Sequence, residues 1–365
     1  MIPIQKLLGE MTAAGRLVRP EGDKLRCLAC AHRCLLGPGR EGICKVRFRD
    51  AQGAFKIPWG YVGGVQVDPI EKKPFYHVYP GHDALSFGML GCDMKCGYCQ
   101  NWVSSQVLRD PNATAGFQKT TPEDLINTAK RQHAPVMVST YNEPLITAEW
   151  SAHIFRKAQA AGILCGFVSN GNATREVLEF IQPVVSLYKV DLKSFNKKNY
   201  AQLGASRDNV LNTIRWLKEL GFWLEVLTLM IEGFNATEDE MKGIAEFLVS
   251  VDPFIPWHVT AFHPDYKMME NPPTSPQTLI RAAEIGYAAG LKFVYAGNLP
   301  GQVGEFENTR CPNCYKTLIE RRSFHVLQNR IREGRCPDCK AAIPGMWNDR
   351  VPVGGSAGRP RAIRV

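Results

Sequence analysis

A chain of 365 residues with 45% hydrophobic content can bury one large core and one or two small satellites, more than a pure binding module needs. No apolar run reaches the length of a membrane span, and Met1 to Gly15 has neither the charged start nor the continuous apolar stretch of a secretory leader, so a cytoplasmic protein is expected. The formal net charge of +9 would suit an acidic partner, but much of the excess is local, in Arg321, Arg322, Arg330, Arg332 and Arg335 and in the tail residues Arg359, Arg361 and Arg364.

Twelve cysteines punctuate the chain. Most fall at C-x2-C or similar spacings, which without a leader reads as metal ligation in a reducing compartment rather than as disulfides. The first set is Cys27-x2-Cys30-x3-Cys34-x9-Cys44, with His32 and the turn-forming Gly37-Pro38-Gly39 beside it. Its four thiolates suit zinc or an auxiliary [4Fe-4S] cluster.

From about His82 to Pro300, short apolar runs alternate with amphipathic, capped segments, the pattern of βα units and a parallel sheet. The runs are Ala84 to Met89, Pro135 to Ser139, Ile163 to Val168, Val184 to Val190, Phe222 to Ile231, Trp257 to Phe262 and Leu291 to Ala296. Thr121-Pro122-Glu123-Asp124 and Ser275-Pro276 are helix starts, and Gly162, Gly221 and Gly290 stand at helix stops. Lone Cys165, in ILCGFV, is expected to be a buried small hydrophobe. Such units number too few for a closed eight-fold barrel. Beyond them, Cys311-x2-Cys314 and Cys336-x2-Cys339 form a zinc-ribbon pattern able to close a tetrahedron. The expected organisation is a metal-binding segment over 1–75, the α/β unit over 76–302, the ribbon over 303–350 and a flexible basic tail over 351–365.

The first apolar run ends in GMLGCDMKCGYCQNW. Cys92, Cys96 and Cys99 supply three thiolates, whereas a cubane [4Fe-4S] cluster takes four ligands, so one iron is left open. A molecule offering an amine and a carboxylate, such as the methionine end of S-adenosylmethionine (SAM), can chelate it. A closed zinc site would need a fourth thiol or histidine, and none follows nearby.

This C-x3-C-x-aromatic-C signature resembles that of the radical SAM superfamily, and the following Gln100-Asn101 is similar to the branch containing glycyl-radical-enzyme activases. The stretches PWGYVGGVQVDPIEKKPFYHVYPG, STYNEP, KVDLKSF, YAGNLPG and CPNCYKTLIERR…CPDC…IPGMW resemble the AmmeMemoRadiSam system radical SAM enzyme, a match running from about Cys27 to Trp347. The resemblance implies an α/β fold with a partial (β/α)6-type barrel. Chemistry is then expected at the carboxyl ends of the strands.

Several site roles follow from the resemblance. Asn142-Glu143-Pro144 occupies the place of a Gly-Gly-Glu motif, so Glu143 would accept hydrogen bonds from the SAM amino group, with Tyr141 and Asn142 in place of the glycines. Tyr98 would lay its backbone against adenine. Ser169 and Asn170 would join the SAM site, and Asp191 and Lys193, in the Asp-Leu-Lys motif, would organise it. Lys189, Asp191 and Lys193 alternate as on one strand face. The acid preceding Thr-Asn-Gly in the activases is Val168 here, so their monovalent cation site does not carry over, and a lysine ammonium is expected to stand in for it. His263, in AFHPD, would close over SAM.

The expected protein is thus an oxygen-sensitive radical SAM enzyme that cleaves SAM to a 5′-deoxyadenosyl radical and abstracts hydrogen from carbon. An activase-like protein or peptide substrate is expected, with a flavodoxin or ferredoxin as electron donor. The rival readings are radical modification of RNA or a nucleotide, and a non-catalytic metal-binding scaffold for Memo-like and AMMECR-like partners.

Overall fold

The computed structural model describes residues 8–110, 115–348 and 361–362. Its centre is a nine-stranded sheet. In chain order the strands are β1 (Gly64–Pro69), β2 (Asp83–Gly88), β3 (Val136–Ser139), β4 (Leu164–Ser169), β5 (Leu187–Asp191), β6 (Trp223–Met230), β7 (Trp257–Ala261), β8 (Val294–Gly297) and β9 (Arg361–Ala362). The spatial order is β8-β7-β6-β5-β4-β3-β2-β1-β9. β2 to β8 run parallel, each beside its neighbour in sequence, while β1 pairs antiparallel with β2 and β9 with β1.

The continuous apolar runs become strands because strands of a parallel sheet are covered on both faces. Every residue of β2, β3 and β7 is buried. The seven apolar runs all appear, shifted by one to three residues at most ends. Val185 precedes β5 rather than lying in it, and Lys193 lies two residues past its end. The antiparallel β1 was not expected from periodicity.

Helices α1 (Pro122–Arg131), α2 (Ala148–Ala160), α3 (Arg175–Ile181), α4 (Lys197–Leu203), α5 (Arg207–Glu219), α6 (Glu238–Val251) and α7 (Pro276–Ala289) connect the strands. Thr121 caps α1 in a full capping box with Asp124, and Ser275 caps α7 through the Thr278 amide. Gly290 ends α7 at φ +113°, a left-handed conformation in which a Cβ would be strained.

Two small three-stranded sheets precede the main sheet. One holds Thr12–Ala14, Phe48–Arg49 and Phe55–Pro58; the other holds Val18–Glu21, Lys24–Cys27 and Leu35–Leu36. From this segment Leu17, Phe55 and Ile57 join the main core. A bidentate ion pair, Arg47 to Glu149 at 2.7 and 2.8 Å, ties this unit to α2 with both side chains buried. At the other end, the strands Thr309–Arg310, Thr317–Arg322 and His325–Asn329 carry a core of Leu318, Ile319, Ile331 and Ile343, which packs on Tyr76, Phe293 and Tyr295. The expected tail, 351–365, lies outside the described residues apart from β9. Among the described residues no helix is long and apolar enough to cross a membrane.

Candidate active site

A cavity of about 400 Å³ opens at the carboxyl ends of the parallel strands. The thiols of Cys92, Cys96 and Cys99, in the loop after β2, all line it, as does Glu143 after β3. Ser169 and Asn170 reach it from the end of β4, and Lys189, Asp191 and Lys193 from β5 and just beyond.

Glu143 is buried and accepts three hydrogen bonds, from the Leu145 amide at 3.1 Å, the Ser169 hydroxyl at 2.7 Å and the Asn170 amide at 2.8 Å. A carboxylate has about four acceptor positions, so one is left to face the cavity. Burial and the nearby Asp93 charge push this carboxyl above the usual range, against the pull of those three donors.

Asp93 was not anticipated as a site residue. Its buried carboxylate accepts from Asn170 Nδ2 at 2.7 Å and Asn172 Nδ2 at 2.9 Å, with the His32 ring 4.0 Å away. The signal available was an acid inside a cysteine loop, where a solvated turn residue would be equally ordinary.

Asp191 is gripped by the ammonium of Lys189 and by that of Lys193 at 3.4 Å. Burial alone would raise this carboxyl, but the two cations hold it below its ordinary value. Lys189 and Lys193 both line the cavity.

Tyr141 stands where the resemblance implies a glycine, and its φ is +70°. A side chain here adopts the left-handed backbone that glycine takes freely, at a cost on the order of 1 kcal/mol. The ring is held by Lys73, whose ammonium lies 3.1 Å from the Tyr141 hydroxyl and 4.9 Å from the ring centre. Asn142, also in the cavity lining, accepts the Met89 amide through its Oδ1 at 2.9 Å, which ties the end of β3 to that of β2.

Tyr98 is buried in the cavity wall between Lys193 and Phe234. His263 is not in that wall. It is exposed at the rim, where its Nε2 lies 2.9 Å from the Gln100 side-chain nitrogen, and Gln100 does line the cavity. Cys165 is fully buried, as expected.

Glu71, Tyr76, His258 and Tyr295 also line the cavity, and Tyr76 and Tyr295 pack with Cys311 and Cys336 of the C-terminal unit. Arg321, counted above toward a basic face, is only 3% exposed. Its guanidinium stacks 4.4 Å from the Tyr76 ring and donates to Thr309 Oγ1 and the Tyr76 carbonyl. It is therefore a packing residue, which weakens the motive for an RNA partner.

The four C-terminal sulfurs, of Cys311, Cys314, Cys336 and Cys339, all lie within 4.8 Å of one another, so this set can hold a metal ion. Cys27, Cys30, Cys34 and Cys44 are free thiols in the N-terminal unit, three of them buried.

A family model described as the Radical SAM superfamily matches residues 88–248. A Methanocaldococcus jannaschii protein described as uncharacterized is 33% identical over 327 residues, spanning 88% of this chain and 96% of its own. The choline trimethylamine-lyase activating enzyme of Oleidesulfovibrio alaskensis is 24% identical over 107 residues, 29% of this chain and 34% of that enzyme. Among solved structures, a domain of a pyruvate-formate lyase-activating enzyme from Bacteroides vulgatus is similar at a TM-score of 0.40 and 24% identity, covering 44% of this chain and 98% of that one. A radical SAM methyltransferase from Sphaerobacter thermophilus is similar at 0.48 and 13% identity, covering 79% and 78%.

Proposed function

Because the chain belongs to the radical SAM superfamily and is an enzyme of it, we propose that it binds SAM at a [4Fe-4S] cluster held by Cys92, Cys96 and Cys99 and acts on a protein or peptide. The scaffold reading falls away with enzyme status. Membership of the AmmeMemoRadiSam group, with Memo-like and AMMECR-like partners, rests on the sequence stretches quoted above. The observation that carries the reading is the convergence on one cavity of three thiols and a buried acid with a spare acceptor position.

The donor set fits the cluster: three thiols line one cavity wall. Held by Cys92, Cys96 and Cys99, such a cluster would supply the single electron for reductive cleavage of SAM and so for hydrogen abstraction from a substrate carbon. Glu143 offers its free acceptor position to the SAM ammonium, a charge-assisted contact in a water-poor setting. Ser169 and Asn170 hold that carboxylate in place. Asp191, kept ionised by Lys189 and Lys193, is a fixed acceptor in the same cavity. Tyr98 packs its ring into the core and leaves its backbone for adenine. His263 acts at the rim through Gln100.

The activase-like substrate class is supported by the likeness to the choline trimethylamine-lyase activating enzyme. The test is anaerobic incubation of reconstituted enzyme with SAM and dithionite. 5′-Deoxyadenosine should form, and deuterium from a labelled protein fraction should enter it. No cleavage with a full cluster complement refutes the enzyme chemistry, whereas label arriving only from an RNA fraction refutes the substrate class.

A further inference from the structure

The cysteine groups are of two kinds by spacing. At the C-terminal end, the Cys311 and Cys339 sulfurs are 3.5 Å apart and those of Cys314 and Cys336 3.7 Å. Metal-sulfur bonds of about 2.3 Å in a tetrahedron put thiolates roughly 3.8 Å apart, so this set is sized for one ion. Among the described residues it alone draws three or more candidate ligands within 4.8 Å of one another. No three of Cys27, Cys30, Cys34 and Cys44 close to that spacing, and neither do Cys92, Cys96 and Cys99. A cubane takes each thiolate on a different corner iron, which holds the sulfurs wider apart than a single ion does.

The N-terminal four nevertheless converge. A Cβ on Gly42, two residues before Cys44, would lie 3.5 Å from the Cys34 sulfur. The Cys27 amide donates to the Cys34 carbonyl at 2.9 Å, and the Ile43 amide donates to the Cys34 sulfur at 3.4 Å, the type of contact that tunes cluster sulfur. The set also abuts the catalytic loop. A Cβ on Gly91 would lie 3.0 Å from the Cys44 carbonyl oxygen, so glycine there permits the approach. One Arg109 nitrogen bridges the carbonyls of Ile43 and Cys92, and His32 meets the Asp93 carbonyl at 3.0 Å.

We propose that Cys27, Cys30, Cys34 and Cys44 ligate a second [4Fe-4S] cluster that passes electrons to the one held by Cys92, Cys96 and Cys99. Four thiolates leave no open iron, so this cluster binds no substrate and serves transfer alone. Its outer side is reachable, since Cys34 is half-buried and the flanking Leu35 and Ile43 are 39% and 47% exposed. The reductant is a low-potential one-electron carrier protein of the flavodoxin or ferredoxin class. The carrier is oxidised by one electron, the N-terminal cluster is reduced and reoxidised in turn, and the catalytic-loop cluster ends reduced by that electron.

The relay rests on the radical SAM reading, whereas the N-terminal cluster does not, and the test separates them. In the full chain purified without oxygen, the variant Cys92→Ala/Cys96→Ala/Cys99→Ala should retain about four irons and four sulfides, with a [4Fe-4S] EPR signal on reduction that SAM does not perturb. Zinc without iron in that variant would overturn the proposal, whatever the wild-type enzyme does to SAM. The converse variant, Cys27→Ala/Cys34→Ala, should keep about four irons and a SAM-sensitive signal. Its reduction by a photoreduced flavodoxin should slow by roughly tenfold or more, because the catalytic-loop cluster is then the sole acceptor. An unchanged rate would overturn the relay. Should that variant misfold by circular dichroism, a redox titration of the first variant decides instead: a couple that the flavodoxin reduces supports the relay, and one that it fails to reduce overturns it.

Discussion

The carboxylate of Asp93 accepts a hydrogen bond from Nδ2 of Asn170 at 2.7 Å. The same asparagine gives its backbone amide to Glu143 at 2.8 Å, so a single residue joins two buried acids, one in the cysteine loop and one after β3. Asn172 holds the second Asp93 oxygen at 2.9 Å and receives the Ala31 amide through its carbonyl. The cysteine loop, the β4 end and the N-terminal cysteine unit thus meet at one carboxylate.

With Cys92, Cys96 and Cys99 holding the proposed cluster, Asp93, whose Oδ1 lies 3.8 Å from the Cys92 sulfur, is an outer partner of its ligands. Changing such partners typically lowers activity by about 10- to 100-fold. Asp93→Asn preserves shape but replaces an acceptor with an amide facing two amide donors. Cleavage of SAM should fall within that range while iron content stays constant. Measurement of 5′-deoxyadenosine per bound iron checks this, and a parallel loss of iron would reassign Asp93 to loop folding.

Glu143→Gln removes the charge while keeping an oxygen for Ser169 or Asn170. A hydrogen bond to a charged group contributes about 1.5–3 kcal/mol, so SAM affinity should weaken by roughly 10- to 100-fold. Equilibrium binding to the oxidised, iron-replete enzyme reads this directly. Unaltered affinity would remove Glu143 from the SAM contacts.

Much of this framework is written locally. The runs that became β2 to β8 are near-continuous apolar stretches, and Thr121, Ser275 and Gly290 mark their helix ends by capping chemistry that needs no tertiary contact. The cysteine sets are visible by spacing. The missing elements depend on partners far along the chain. Asp93 gains meaning from Asn170 and Asn172, nearly 80 positions on, and Arg47 from Glu149, 102 positions on. Arg321 looked like surface charge because nothing near it announces Tyr76, 245 positions away. His263 is exposed at the rim, and its ring is set by Gln100 rather than by the cavity.

At the junction with the C-terminal unit, His77 is fully buried, with Nδ1 2.7 Å from the Pro344 carbonyl and Nε2 2.6 Å from the Tyr295 hydroxyl. The neutral ring satisfies both, donating from Nδ1 and accepting at Nε2. Burial pushes this imidazole from 6.5 down to about 4. Between those values the unfolded chain takes up a proton that the native chain refuses, so the contribution is complete above 6.5 and is lost as pH falls toward 4. The loss is on the order of 3 kcal/mol. Glu71, raised by burial to about 7, has the opposite sign: its stabilisation is complete below 4.5 and is lost as pH rises through 7. From pH 7 to 4.5 the two trends oppose each other and largely offset, so removing His77 should leave the Glu71 trend exposed. In urea unfolding, the stability of His77→Gln relative to the wild type should therefore rise as pH falls from 7 to 4.5, and a pH-independent difference between the two proteins would place the titration elsewhere.

The Arg47 and Glu149 pair should dominate the attachment of the N-terminal unit. Glu149 also accepts the backbone amides of Arg16 and Leu17 through Oε1, and Arg47 Nη1 donates to the Ile146 carbonyl. Both side chains are almost fully buried, at 1% and 4% exposure. Removing one partner strands the other charge without water, a loss of about 3–5 kcal/mol. Glu149→Ala should destabilise the protein by that amount, and Arg47→Met/Glu149→Leu by much less, because the double replacement leaves no unpaired charge. Arg47 lies three residues from Cys44, so the single variant should also lose metal from the N-terminal cysteines before the C-terminal four. Denaturant titration with metal counting on each fraction checks both outcomes, and simultaneous release from the two sets would show that the N-terminal unit unfolds only with the whole.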